Sequence, residues 1–291
     1  ALESLGYDVR VYDVPGDCDR LQDERPAAVL LGLHGGAGEN GVLQGYLEML
    51  RIPYTGSGVL ASALAIDKQR AKSVLESAGI ATPGGTFVRP GTLRNRDRDA
   101  AAVLEAAGLE PPVVVKPNDE GSSVGVSICE TVGDVAEALD EVLAGESNAS
   151  SAGALVEEYL DGPEFTVGFF DEVCLGSIRV EPGETFYNFE AKYESDDTRY
   201  EEIEDEELTA RLETIGRAAY EAVGCRGVAR IDFKSRGDDS GLDLRVLELN
   251  TIPGMTATSL VPKLARRHGI DFDSFTEYML ASADCEMSWT T

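Results

Sequence analysis

Residues 227–250 hold two apolar runs whose polar residues recur at every second position. Glu248 and Asn250 interrupt Val246-Leu-Glu-Leu-Asn250, and Arg230 and Asp232 interrupt Gly227-Val-Ala-Arg-Ile-Asp-Phe233 in the same way. A strand sends alternate side chains to opposite faces, so each pair shares a face. The polar, glycine-bearing segment Ser235–Gly241 reads as the turn of a hairpin. Folding it brings Asp232 near Glu248 and Asn250. Two carboxylates and an amide oxygen are hard donors that suit Mg2+. With Arg230 beside them they suggest a site for metal and phosphate. Acidic residues on a strand more often simply face water. Here apolar residues flank them on both runs (Val246, Leu247, Leu249; Val228, Ile231, Phe233). A solvated face would also give no reason for Asn and Arg to fall in register with the acids. The second run stops at Thr251-Ile-Pro-Gly254, where Pro253 fixes φ and Gly254 can turn.

The chain has 291 residues, enough for two or three domains, and an apolar fraction of 43% that can build real cores. No apolar run approaches the roughly 20 residues of a membrane span, and no signal peptide is visible. The five cysteines are odd in number, scattered and never Cys-x-x-Cys, which argues for a reducing cytoplasm over a disulfide framework or zinc site. Two histidines exclude histidine-rich metal chemistry. The net charge is −28, from 25 basic and 53 acidic residues, which opposes nucleic acid and anionic membranes as partners. Acids spread along the chain, with lysine rarer than arginine, look like a surface kept soluble at high salt. Against that background a basic residue in apolar or glycine-rich surroundings is a candidate for holding phosphate.

Strand patterns are expected at Tyr7–Val14 and Arg25–Leu33, the latter running into a glycine loop and then a helix through Leu50. That is βα alternation and implies a parallel sheet. A helix follows from Asp67 to Gly79. Strands at Gly85–Val88, Pro112–Lys116, Val124–Cys129 and Leu155–Tyr159, with helices at Arg98–Ala107 and Val132–Leu143, make an α+β unit. Strands then dominate at Phe165–Phe170, Cys174–Glu181 and Thr185–Lys192. A long helix carries Leu208, Leu212, Ile215, Ala219 and Ala222 on one stripe. After the hairpin a last helix spans Phe272–Ala281. Three domains are expected, with boundaries near residues 67 and 160 (1–67, 68–160 and 161–291).

Lys116-Pro-Asn-Asp-Glu-Gly-Ser-Ser-Val-Gly125 joins a strand-end lysine to a loop whose N–H groups and hydroxyls could wrap phosphate oxygens. It is no Walker A loop, and an ordinary hairpin turn explains it equally well. Gly36-Ala-Gly-Glu-Asn-Gly41 matches Gly-x-Gly-x-x-Gly, but the acid expected about 20 residues on is not evident. A substrate-side loop carrying His34 and Glu39 is the preferred reading over a dinucleotide site; His34 could also merely cap or pack. Glu190-Ala-Lys-Tyr193 enters an acidic loop, and Lys68 follows Ile66-Asp67. Singly, each of these lysines could be a plain surface residue.

Together, and in order, these strings resemble the D-alanine–D-alanine ligases of the ATP-grasp superfamily. The match runs through His34-Gly-x-x-Gly-Glu-x-Gly41, Leu43-Gln-Gly-x-Leu-Glu48, Ile52-Pro-Tyr-Thr-Gly-Ser-Gly-Val59 and Ser62-Ala-Leu-Ala-x-Asp-Lys68. It continues with Val115-Lys-Pro117, Glu120-Gly-Ser-Ser-Val-Gly-Val126, Gly162-Pro-Glu-Phe-Thr-Val167, Glu190-Ala-Lys-Tyr193 and Ala229-Arg-Ile-Asp-Phe233. It closes with Glu248-x-Asn-Thr-x-Pro-Gly-Met-Thr256 and Ser259-Leu-Val-Pro262. The metal strand alone could belong to many ATP-grasp enzymes, whereas the co-linear set is specific to the ligases.

The resemblance implies an ATP-grasp fold, α/β and α+β, with an N-terminal parallel α/β domain, a small central domain and a larger C-terminal sheet domain. It implies ATP between the last two. Lys68, Lys116 and Lys192 would hold phosphates. Glu157, Tyr159 and Leu160 would form the adenine-side hinge, Glu164 would bind ribose, and Phe186 and Leu247 would sandwich the base. Two Mg2+ ions, with Mn2+ as an alternative, would sit on Asp232, Glu248 and Asn250. The first D-alanine carboxylate would attack the γ-phosphate, and the second D-alanine amine would attack the resulting acyl phosphate. Arg230 and the Gly254 N–H would stabilise the oxyanion. His34 would contact substrate, and Ser259 and Leu260 would take the second carboxylate. Ser122 and Tyr193 would order the closing loops, Tyr193 matching dipeptide-forming members. The family habit also implies a homodimer.

Three departures stand beside this. The family's first glycine-rich loop, whose Glu grips the first D-alanine ammonium, has no counterpart, since Ala1 is expected to begin after it. Asn40 replaces the usual Asp, and the segment after Tyr193 is richer in acid. The alternatives are an ATP-grasp ligase for another amino-acid pair, or a non-catalytic ATP-binding fragment. The acidic balance predicts that the unfolding midpoint rises as KCl goes from millimolar to molar; a flat or falling midpoint would remove the salt-adaptation reading.

Overall fold

The computed structural model describes residues 1–33, 35–91, 96–121, 124–144, 153–181, 199–237 and 243–287. Helices α1 (Cys18–Glu24), α2 (Gly36–Glu39), α3 (Val42–Leu50), α4 (Val59–Ile66) and α5 (Lys68–Ser77) come first. Then follow β1 (Gly85–Val88), α6 (Arg96–Ala107), β2 (Val113–Pro117), β3 (Ser127–Cys129), α7 (Val132–Ala144) and β4 (Ala154–Glu158). The last part holds β5 (Glu164–Phe170), β6 (Val173–Glu181), β7 (Arg199–Glu201), α8 (Glu206–Val223), β8 (Val228–Arg236), β9 (Asp243–Asn250), α9 (Leu260–Arg267) and α10 (Phe272–Ala281).

Two antiparallel sheets carry the fold, in orders β1-β4-β2-β3 and β7-β6-β5-β8-β9. In the first, Val113, Val115, Ala154 and Val156 pack against Leu104 of α6 and Val135 and Leu139 of α7. This is the α+β unit that the apolar spacing predicts. In the second, Phe165, Val167, Phe169, Ile231 and Phe233 form one buried face. Helix α8 covers it with Leu212, Ala219 and Val223. Its stripe arises from the 3.6-residue period. Asp205 caps it by accepting from the N–H groups of Glu207 (2.9 Å) and Leu208 (3.1 Å). Glu206 and Glu207 sit favourably at the positive end of its dipole. Gly216 lets the helix approach closely, because a Cβ there would lie 3.0 Å from the Phe169 ring.

The opposite face of the second sheet is closed at one end by α9 and α10, through Val261, Leu264, Phe275 and Met279 on Leu175, Ile178 and Val228. The other end of that face is left open towards the first sheet, and the polar residues of the hairpin lie there.

The N-terminal region differs from expectation. Tyr7–Val14 and Arg25–Leu33 form no regular strand; the parallel pairing consists of an isolated bridge between Val29 and Tyr54. The bonds are Val29 N–H to Pro53 carbonyl (2.8 Å) and Thr55 N–H to Val29 carbonyl (3.0 Å). β-branched residues favour strands only where a packed neighbour receives them. Val11 is 82% exposed, so its propensity goes unused. Leu21, Leu31, Leu43, Leu47, Ile52, Tyr54 and Ile252 nevertheless form a core. The five cysteines are free, as their spacing implied. Among the described residues no helix is long and apolar enough to cross a membrane.

Leu212 is fully buried between α8 and the sheet. Leu212→Ala is expected to cost about 2–5 kcal/mol, read as a lower urea midpoint at unchanged slope.

Candidate functional site

The hairpin brings its polar residues together as its alternation predicts. Strands β8 and β9 pair antiparallel with Asp232 opposite Glu248 and Arg230 opposite Asn250. Between Asp232 and Phe233 the register shifts, because Phe233 faces Val246 and leaves Leu247 as an extra residue. This β-bulge reverses the phase of β9. Leu244, Val246 and Leu249 are buried on the core side, while Leu247, Glu248 and Asn250 are half-buried on the other. Leu247 and Glu248 therefore both serve the open face, although they are consecutive.

Asp232 is 4% exposed and fully engaged. Arg230 donates to it from Nε (2.9 Å to Oδ1) and from an Nη (2.8 Å to Oδ2). Asn250 Nδ2 donates to Oδ2 at 3.1 Å, and the Thr166 hydroxyl of β5 donates to Oδ1 at 2.5 Å. The guanidinium is thereby held in one plane. The Asn250 nitrogen points at Asp232, so the amide oxygen is the end not bonded to that carboxylate.

Lys68 meets this group from across the cleft, its Nζ 3.4 Å from Glu248 and 2.5 Å from the Glu120 carbonyl, to which it donates. It opens α5, where a cation opposes the helix dipole by a few tenths to about 1 kcal/mol. The Glu248 carboxylate and the Glu120 carbonyl offset that. Asn118 fixes the lysine loop to the same helix start: its carbonyl accepts from Lys68 N–H (3.0 Å) and its side chain from Gln69 N–H (2.9 Å). Glu39 lines the cleft with Lys68 and Glu248, and its carboxylate accepts from Gly35 N–H at 2.7 Å.

Lys116 lies at the end of β2, buried, with its Nζ 2.6 Å from Glu157. The Glu157 carboxylate is 2% exposed and turns towards two lysines, Lys116 and Lys72. Burial alone would raise its pKa, but the two ammonium groups outweigh burial and hold it below the ordinary carboxylate value. Leu160 is buried, Tyr159 half-buried, and Glu164 pairs at 3.9 Å with Lys234.

Ser259 precedes α9, and its hydroxyl accepts from Thr256 N–H at 3.1 Å. Gly254 packs on it so closely that a Cβ would lie 3.0 Å from Ser259 Oγ. Leu260 is half-buried in the α9 core. His34, Ser122, Phe186, Lys192 and Tyr193 lie outside the described residues. Lys72, Thr166 and Asn118 were not singled out in the sequence. Lys72 stands one turn after Lys68, Thr166 two after Glu164 and Asn118 two after Lys116, so spacing carried a signal, but their partners are remote in the chain.

Glu157→Gln is expected to cost about 3–5 kcal/mol at pH 7, since it leaves two buried ammonium groups without their anion. A depressed carboxylate pKa contributes stability that is present above the unfolded value of 4.5 and lost as pH falls through the lower folded value. The gap between wild type and variant, from urea titrations, should therefore shrink on acidifying below 4.5.

Residues 74–281 match the family model described as D-ala D-ala ligase C-terminus. The D-alanine--D-alanine ligase of Actinobacillus pleuropneumoniae serotype 5b is 40% identical over 282 residues, covering 96% of this chain and 88% of that one. The crystal structure of the Bacillus anthracis D-alanine--D-alanine ligase superimposes with a TM-score of 0.80 at 32% identity, over 96% of this chain and 87% of that one. The structure of the same enzyme complexed with ATP gives 0.76 at 33% identity, over 94% and 83%. The fold is thus that of an ATP-grasp enzyme, and the chain belongs to the D-alanine–D-alanine ligase family.

Proposed function

We infer that this chain uses ATP to join two D-alanines into D-alanyl-D-alanine, a cell-wall precursor, through an acyl phosphate. The observation that carries the reading is the meeting of Lys68 and Glu248 at 3.4 Å. It brings a lysine suited to phosphate and the acids suited to a cation to one cleft. A nucleotide phosphate entering there would take Lys68, and a cation would take Glu248, so each would replace the other's present partner.

Asp232, Glu248 and Asn250 supply a hard-oxygen set that fits Mg2+. When bound, the ion would neutralise phosphate oxygens. Lys68 and Lys116, with Lys192 beyond the described residues, would hold the phosphates. Tyr159 and Leu160 would border the adenine, Leu247 would lie against its face opposite Phe186, and Glu164 would take the ribose. Glu157 would act at the hinge through the two lysines its carboxylate holds. The first D-alanine carboxylate would attack the γ-phosphorus and release ADP. The second amine would then attack the acyl carbon and expel phosphate. Arg230, fixed by Asp232, and the Gly254 N–H would face the developing oxyanion. His34, Ser259 and Leu260 would hold substrate, and Ser122 and Tyr193 would order the loops over it. The division near residues 67 and 160 belongs to the same reading: one sheet lies on either side of residue 160. A homodimer through the N-terminal part, and action in the cytoplasm, accompany it.

With Mg-ATP and D-alanine in molar KCl, ADP and a product of D-alanyl-D-alanine mass are expected. ADP without dipeptide would point to another amino-acid pair. Arg230→Ala should lower turnover about 100-fold or more while changing ATP affinity little. Abolished ATP binding would overturn the role given to Arg230.

A further inference from the structure

A lysine paired one-to-one with a buried carboxylate is electrically neutral and attracts a polyphosphate weakly. Lys116 would be such a lysine if Glu157 had no other partner. Lys72 alters the sum. It lies on α5 one turn beyond Lys68, pairs with the second carboxylate oxygen of Glu157, and donates to the Pro83 carbonyl at 2.6 Å. Two ammoniums around one carboxylate leave one unit of positive charge. Lys72 is 7% exposed and Lys116 8%, so that charge is screened little by water or salt.

The arrangement is built into the sheet. Glu157 on β4 faces Val114 on β2, and Lys116 lies two residues along, so the two side chains are diagonal neighbours on one face. On the other side Glu157 faces Gly85 of β1, where a Cβ would come within 2.9 Å of the Glu157 Cγ. The Cγ of Glu157 thus uses space that Gly85 leaves.

We propose that Lys72 is a positioning residue for nucleotide binding: by neutralising Glu157 it keeps the charge of Lys116 available to the phosphates of ATP. The inference rests on the ATP-dependent reading above. Lys72 needs no contact with the nucleotide, because its ammonium is committed to Glu157 and Pro83. A role only in docking α5 on the sheet would give a different pattern of affinities.

The test is calorimetric titration of the full chain with Mg-ATP and, separately, with adenosine, without D-alanine, for wild type, Lys72→Met and Lys72→Arg. Urea midpoints establish that folded protein is compared. Lys72→Met leaves a neutral Lys116–Glu157 pair and should weaken Mg-ATP binding about tenfold or more, whereas adenosine, which carries no phosphate, should bind within about threefold of wild type. Lys72→Arg keeps the positive charge and should hold Mg-ATP affinity within about threefold of wild type. If Lys72→Met leaves Mg-ATP binding unchanged, or weakens adenosine as much as Mg-ATP, the proposal is overturned. Should Lys72→Met fail to fold, Lys72→Gln, which keeps a donor for the Pro83 carbonyl, is read in its place with the same outcomes. Wild type that binds no ATP removes this inference and the ligase reading together. The expected pattern with no dipeptide formed removes only the D-alanine assignment.

Discussion

The pairing of β8 with β9 is the constraint on which the site depends. Its register sets Asp232 against Glu248 and Arg230 against Asn250, so four polar side chains gather on a sheet whose other face carries a large apolar core. That apolar face, built on Phe165, Val167, Phe169, Ile231 and Phe233 and covered by α8, fixes the register. A slip of one residue would turn every core side chain outward. Within the hairpin the pattern gives way at the bulge at Leu247. It lets a strand keep Val246 in the core while presenting two consecutive residues to the cleft.

The electrostatics of the cleft run against those of the chain. A protein with net charge −28 must draw a highly charged anion into a site edged by carboxylates. Burial of the cations answers this. Lys68, Lys72 and Lys116 are each under 10% exposed and bonded to fixed oxygens. Desolvating an ammonium costs several kcal/mol, and the adjacent carboxylates and carbonyls offset that cost. The surface acids lie in water and are screened within about 10 Å at moderate salt, so they cancel little of the field inside the cleft. Asp232 follows the same logic with the opposite sign, its charge matched by Arg230 and its remaining oxygen valence by Asn250 and Thr166.

Much of the architecture was legible from periodicity. The strands of both sheets other than β7, which falls in the segment expected as an acidic loop, the stripe of α8 and the last helix follow from spacings of two and 3.6 residues. Where the reading failed, at Tyr7–Val14 and Arg25–Leu33, the local pattern was strand-like but the partners needed to bury it are not paired there. The bulge was not legible, because a continuous apolar run gives no sign that one residue is extra.

By itself the sequence determined which side chains share a face wherever a strand runs without a bulge, since alternation there needs no knowledge of the partner. It thereby determined the Asp232, Glu248 and Asn250 set, and the family through its co-linear strings. The tertiary structure decided which faces meet. Glu157 and Lys72 are 85 residues apart in the chain, and Lys68 and Glu248 still further. Charge balance among such residues depends on distances that only the packing of α5 against both sheets establishes. That is why the carboxylate of Glu157 turned out to serve two lysines, and why Lys72 stayed invisible until the fold placed it there.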